Sequence, residues 1–355
     1  MVDYHTSSSI PYYSRCLDPE EWRGFSRKKG DTLLMAGFPC PSFSGAGNRL
    51  GTNDPRGKLL HNAVALHNKL HPDWFLYENV ASMKQEHKDM ISELIGVEPI
   101  EINSNLVSAQ NRARLYWTNI PYHDPPQDRG VLLKHILEDG YVDRDKSHCI
   151  DANYFKGGNL RSYFEKHRRQ LVFSKDGLCH VGDADLNGHG YLKRVYHQEG
   201  KAPTLTTMGG GHREPKVYVE PMEYRKLTPL ECERLQTLPD NYTKKFAVSN
   251  TQRYKMIGNG YTVDVIAHIL SGIPDDTTIQ RVYSLFDGCS MGQVALHRAM
   301  YSLGKQDLLA PDYRYFSSEI DKYAMKVTQA NWNATVQMGD IKDVSLYKII
   351  KERWY

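Results

Sequence analysis

The sequence has no apolar run near the roughly 18–20 residues that a helix needs to cross a bilayer, so no transmembrane helix is expected. Its first residues, MVDYHTSSSIPYYSRCLDPEEW, lack a basic start followed by an apolar core and do not read as a signal peptide. Cysteine is scarce, with six in 355 residues and no CxxC pair. That spacing argues against a zinc cage or other metal site, and in a chain this long against a disulfide framework. Reduced thiols in a cytoplasmic protein are therefore expected. There is no GKS/T, which excludes a P-loop. Internal repeats and low-complexity tracts are also missing. Charge is nearly balanced, with Lys+Arg 45 against Asp+Glu 42. Any nucleic-acid footprint must therefore be local rather than global.

What is present alternates between two periodicities. DTLLMAGF (31–38) and DWFLYENV (73–80) are short apolar runs that predict buried strands. LLHNAVALHNKL (59–70) has helical spacing, and a second helix is predicted from about Lys84 to Ile95. PIEINSNL and RARLYWTNI supply further strands. This pattern predicts an α/β domain with a mostly parallel sheet. Residues 121–222 are rich in Gly, His, Pro, Tyr and Asp and read as a loop-rich, mostly β insertion. In RKLTPLECERLQTLP, Thr228, Pro229 and Glu231 have the spacing of a capping box. KMIGNGYTVDVIAHIL reads as a turn followed by an apolar helix. A strand–turn–helix unit, RVYSLFDGCSMGQVALHRAMYSL, comes late in the chain, and two more strands end near Glu319 and Asp340.

Four features bear on chemistry. Gly288 to Gly292 form a turn of the kind that places a ligand near a helix N-terminus, and Glu319 stands where a carboxylate commonly binds ribose hydroxyls. Many such turns bind nothing, and alone this one is even-handed. Cys40 lies between two prolines after a buried strand, where a parallel sheet exposes reactive groups; a buried structural thiol is the plain alternative. Glu78, beyond Trp, Phe, Leu and Tyr, is either a solvated strand end or a carboxyl poised as an acid. Arg112 and Arg114 occupy alternate positions, which on a strand points both to one face. They make either a polar sheet face or a clamp for phosphate or base.

Together these stretches resemble the cytosine-C5 methyltransferases. GFPCPSFSGAGNRLGTNDPRGKL is similar to the family's nucleophile motif, ENV (78–80) to its glutamate motif and QNRARLYW to its Q-x-R-x-R motif. RKLTPLECERLQTLPDNY and IGNGYTV match its two late motifs, and LFDGCSMG, SSEIDKYA and GDI its cofactor motifs. APTLTTMGGG resembles the Thr-Leu element of its target-recognition region. LFDG and VSAQNRARLYW are especially similar to the animal de novo DNA methyltransferases. The resemblance spans about Asp31 to Ile341, except much of 121–200.

The resemblance implies a Rossmann-like methyltransferase sheet with a smaller, mostly β target-recognition domain. It implies methyl transfer from S-adenosylmethionine to C5 of a flipped cytosine in double-stranded DNA. Cys40 falls on the nucleophile, Glu78 on the group at N3, and Arg112 and Arg114 on the base-orienting arginines. The cofactor positions are Phe286, Asp287, Gly288, Cys289, Glu319, Ile320, Asp340 and Ile341, completed by Pro39 and Asn259. DNA contacts are expected from Ser42, Arg49 and Arg56, from Thr204, Leu205 and Thr206, and from Arg168 and Arg169. Pro41 departs from the glutamine usual after the nucleophile, and Asp287 and Met291 replace small residues.

The largest departure is order. The cofactor motifs normally come first and here come last, which reads as a circular permutation. On that reading, 1–120 is the nucleophile half of the catalytic domain, 121–250 the recognition domain and 251–355 the cofactor half. The strand at 281–286 is then expected at the centre of the same sheet as 31–38. An RNA cytosine methyltransferase and a catalytically silent DNA-binding relative are the alternatives. The second would require loss of a catalytic residue, and none is lost.

Overall fold

The computed structural model describes residues 31–39, 57–122, 124–173, 180–183, 194–197, 216–218 and 224–344. In chain order its strands are β1 (Asp31–Gly37), β2 (Trp74–Val80), β3 (Ile100–Asn103), β4 (Ala113–Thr118), β5 (Leu171–Phe173), β6 (His180–Asp183), β7 (Arg194–His197), β8 (Lys216–Tyr218), β9 (Tyr224–Lys226), β10 (Ile279–Leu285), β11 (Leu309–Ser318) and β12 (Val336–Gln337). Its α-helices are α1 (Leu59–Leu70), α2 (Gln85–Ile95), α3 (Leu160–Lys166), α4 (Pro229–Leu235), α5 (Asn250–Asn259), α6 (Val263–Leu270), α7 (Met291–Ser302) and α8 (Lys322–Asn331).

Seven strands form one sheet in the order β12-β11-β10-β1-β2-β4-β3. The first five run parallel, while β4 is antiparallel to both β2 and β3. The late strand β10 thus lies directly beside β1, with Ala36 in register with Leu285. Both faces of the sheet are covered. Leu33 and Met35 point into one core cluster, Leu34 and Ala36 into the other, as the two-residue period of a strand requires. This explains why LLMAG (33–37) is continuously apolar rather than alternating. Leu133, Ile136, Ile150 and Tyr154, which fall in the loop-rich stretch, join the same cluster as Leu33. The remaining short strands form a two-stranded sheet, β5-β9, and a three-stranded one, β6-β7-β8.

Helix starts follow local chemistry. Thr228 and Glu231 form the expected capping box at α4, and Asp321 caps α8 by accepting from the Tyr323 and Ala324 N–H groups. IGNG differs from its sequence reading: it is the end of α5, not a free turn. Ser249 caps that helix, accepting from the Gln252 N–H. Gly258 serves close packing, since a Cβ there would lie 2.3 Å from the Asp151 carbonyl. Backbone cannot swing aside as a side chain can. Gly258→Ala should therefore cost about 1–3 kcal/mol, read as a lower melting temperature of the purified protein.

The connections set where a ligand can bind. From β1 the chain passes through α1 to β2 on one side, and from β10 through α7 to β11 on the other. Strand order therefore reverses between β10 and β1. The crevice beyond the carboxyl ends of these two strands is the topological switch point of the sheet.

Candidate active site

A cavity of about 380 Å³ occupies that crevice. This is within the roughly 300–1,000 Å³ typical of small-molecule sites. Phe38, Pro39, Glu78, Arg112 and Arg114 line it from the β1, β2 and β4 side, and Asn259 from the end of α5. Phe286, Asp287, Gly288, Cys289, Glu319, Ile320, Asp340 and Ile341 line it from the β10, β11 and β12 side. All the catalytic and cofactor candidates among the described residues are thus brought to one cavity. Cys40 is the residue after Pro39 and lies outside the described residues, as do Ser42, Arg49, Arg56, Thr204, Leu205 and Thr206. Arg168 and Arg169 do not line the cavity; Arg168 is exposed, and Arg169 Nη1 donates to the Gly157 carbonyl at 2.7 Å.

The β2/β4 end is built on an ion pair. Arg114 Nε donates to Glu78 Oε1 at 2.9 Å, and both side chains are largely buried. Glu78 is therefore not an orphan among apolar neighbours; its charge is balanced by an arginine placed diagonally across the neighbouring strand. In that register Glu78 faces Tyr116, and Val80 faces Arg114. Arg112 lies just before β4 and is held differently. Its guanidinium donates to the carbonyls of Ile150 at 3.1 Å, Gly258 at 3.4 Å and Gly260 at 2.8 Å. This ties the end of α5 to the sheet. The thiol of Cys149, which no motif pointed to, lies 3.3 Å from Arg112 Nη1. The residue is partly open to solvent, yet its surroundings still desolvate the thiol; both arginines outweigh that effect and draw its pKa down.

The other end is built on a strained turn. Phe286, Gly288 and Ser290 all have left-handed backbones, with φ of 57°, 59° and 59°. For the two non-glycine residues this costs roughly 1–2 kcal/mol each, the kind of strain that persists where a site over-determines it. Asp287 supplies the restraint. Its buried carboxyl accepts from Ser284 Oγ at 2.6 Å, from Tyr315 Oη at 2.8 Å and from Ser290 Oγ. Burial pushes the Asp287 carboxyl up, and the hydroxyl donors oppose that shift. The Cys289 thiol is likewise buried and pushed up. Asp287 and Cys289 are thus parts of the turn's scaffold as well as of the cavity wall.

Glu319, one residue beyond β11, is fixed by three backbone N–H groups. Gly288 donates to Oε2 at 2.8 Å, and Ile320 and Asp321 donate to Oε1 at 2.7 Å each. A carboxylate has about four acceptor positions, so capacity for ligand hydroxyls remains. Asp340 lies three residues beyond β12 and caps the following turn, accepting from the Lys342 N–H at 3.0 Å. Ile320 is 73% exposed, presenting an apolar side chain beside Glu319. In a dinucleotide site the turn N–H groups face a pyrophosphate. Here the glycine N–H is taken by a carboxylate, and Asp340 is a second acid on the wall. At this end the acceptors suit a nucleoside that offers hydroxyls and an amine rather than a pyrophosphate on the glycine N–H. The residues present therefore fit S-adenosylmethionine.

Among the described residues no cluster of His, Cys, Asp and Glu could hold a metal ion, and no helix is long and apolar enough to cross a membrane.

The site is thus a cavity at the switch point of an α/β sheet, with an acid–arginine pair on its wall. Comparison with known proteins adds the family. A family profile for the C-5 cytosine-specific DNA methylases matches residues 23–274, more than half of the chain, and the chain belongs to that family. It is 29% identical over 284 residues to the type II methyltransferase M.HpaII of Haemophilus parainfluenzae, covering 72% of this chain and 75% of that protein. It is 25% identical over 264 residues to the type II methyltransferase M.HhaI of Haemophilus parahaemolyticus, covering 68% and 75%. The orphan methyltransferase M.SPBetaI of Bacillus phage SPbeta is 25% identical over 359 residues, with 67% and 81% covered. A solved structure of a DNMT2 mutant from Spodoptera frugiperda aligns over 68% of this chain and 78% of its own, at 18% identity and a TM-score of 0.40.

Proposed function

We propose that the chain transfers a methyl group from S-adenosylmethionine to C5 of a cytosine flipped out of double-stranded DNA, through a covalent bond between Cys40 and C6. The observation that carries this reading is the convergence of Glu78, Arg114, Gly288, Glu319 and Asp340 on one cavity at the β10/β1 switch point.

S-adenosylmethionine, when bound, would supply an electrophilic methyl group, its methyl–sulfur bond breaking so that neutral S-adenosylhomocysteine is the leaving group. Glu319 would hold the ribose hydroxyls, Asp340 the adenine amine, and Phe286 and Ile320 the flat apolar surfaces. On the other side the Cys40 thiolate adds to C6 of the cytosine. The C5–C6 π electrons move toward N3, where Glu78 holds a proton, and C5 becomes enamine-like. Arg114 keeps the Glu78 carboxyl aimed and orients the base. After C5 has bonded to the methyl carbon, the C5 proton leaves to a base. The C5=C6 bond re-forms and Cys40 departs as thiolate.

We read the chain as a circular permutation of its family: residues 1–120 and 251–355 are two halves of one catalytic domain, and 121–250 recognise the target. Two observations support this. One sheet is made of a block of strands from each half, joined where β10 lies against β1, and the family match ends at residue 274, before β10. Loop 42–57 and Thr204–Thr206 are proposed to contact the DNA, with Arg168 and Arg169 on the recognition side.

Glu319→Ala tests the cofactor end without DNA. It is expected to weaken S-adenosylhomocysteine binding about 10–100-fold by calorimetry, corresponding to loss of charge-assisted hydrogen bonds worth roughly 1.5–3 kcal/mol. Unchanged affinity would place the nucleoside elsewhere.

A further inference from the structure

Tyr261 carries a polar group that the reaction above does not use. It stands between α5 and α6 and is only 8% exposed, yet its side chain lines the cavity. Among the described residues its hydroxyl has no hydrogen-bond partner. That hydroxyl is open to the cavity rather than sealed from it, so it can bond a ligand there, given a reason for one to sit beside it.

Its placement supplies one. A Cβ on Gly37 would lie 2.8 Å from Tyr261 Oη and 2.9 Å from Cε1. The phenol therefore packs onto the backbone at the end of β1, and only glycine leaves room for it. Gly37 is in register with Glu78 on β2. Burial raises the Tyr261 pKa well above the usual phenol range, Glu78 adds to the shift, and Asp287 adds less. The hydroxyl thus stays protonated, and its contact with Gly37 places it at the end of β1 that lies beside Glu78. A neutral phenol both donates and accepts, and suits the polar edge of a pyrimidine.

We propose that the Tyr261 hydroxyl hydrogen-bonds the flipped cytosine and holds its ring against Glu78. This rests on the function proposed above and adds a base-binding residue that the family resemblance did not assign.

The test is Tyr261→Phe in the full-length protein, which deletes the hydroxyl alone. Since that hydroxyl has no partner in the free protein, the melting temperature should stay level or rise, and S-adenosylhomocysteine affinity should stay within about twofold. Single-turnover methylation of a duplex carrying the mapped target cytosine should fall about 3–10-fold, the range of one neutral hydrogen bond. The decisive comparison uses the same duplex with an abasic site at the target. Wild type and variant should bind it equally, while the variant binds the cytosine duplex more weakly. An equal loss on both duplexes would show that the hydroxyl acts through general structure. A loss confined to S-adenosylhomocysteine would move it to the cofactor end, and no loss at all would make it idle; each overturns the proposal. If wild type itself methylates no cytosine in this assay, the reading of the whole site fails and this inference goes with it. If wild type methylates and the variant equals it, this inference alone fails.

Discussion

Replacing Cys40 by alanine is expected to lower methyl transfer by at least about 10³-fold, since removing a covalent nucleophile takes away the step on which the others depend. C5 of cytosine is too weak a nucleophile to attack a methyl group unaided. Adding a sulfur at C6 turns it into the end of an enamine. Cofactor binding does not involve the thiol, so S-adenosylhomocysteine affinity should be unchanged in Cys40→Ala. A duplex with 5-fluorocytosine at the target gives the complementary readout. Fluorine at C5 cannot leave as a proton, so wild type should accumulate a covalent protein–DNA complex that survives denaturing electrophoresis. Cys40→Ala should form none. A variant that still formed the complex would move the nucleophile to another residue.

The second large effect is expected at Glu78. Glu78→Gln keeps the shape and a hydrogen-bonding side chain but cannot carry the proton that N3 needs when the thiolate adds. A positioned acid or base typically contributes 10²- to 10⁴-fold, and a loss of about that size is expected in single-turnover methylation. Because Arg114 donates to the Glu78 carboxylate at 2.9 Å, the two residues act as a unit. Arg114→Ala should therefore lose much of the same activity, and the double variant should be far less impaired than the product of the two single losses. Strict additivity would mean that Arg114 serves the DNA backbone rather than Glu78.

Much of this was legible in the sequence because the decisive positions sit at strand ends, and strand ends are marked by abrupt changes of composition. DTLLMAGF stops at Pro39, WFLY stops at Glu78, and RVYSLF stops at Asp287, and each of these ends reaches the cavity. The capping box at Thr228 was legible because it is local chemistry. Three things were not. IGNG looked like a turn because glycine marks turns; nothing local reveals that Gly258 is excused from bearing a Cβ by the Asp151 backbone, 107 positions away along the chain. Arg112 and Arg114 looked equivalent because they alternate, but one lies before the strand and is held by carbonyls of α5, and the other pairs with a carboxylate. Tyr261 has no signature in IGNGYTV, since the placement of its hydroxyl is a property of packing against Gly37.

The same logic explains how the late turn serves an early nucleophile. A parallel sheet needs its central strands adjacent in space, not in sequence. β10 and β1 run side by side and send their connections in opposite directions, so the crevice between them forms whichever strand the chain makes first.

The most direct measurement is methylation of plasmid DNA by the purified protein with S-adenosylmethionine, followed by base-resolution mapping of modified positions. The account predicts 5-methylcytosine, confined to cytosines in a defined sequence context and absent with Cys40→Ala. Methyl groups on an exocyclic nitrogen, on adenine, or at C5 in equal amount with Cys40→Ala would contradict it.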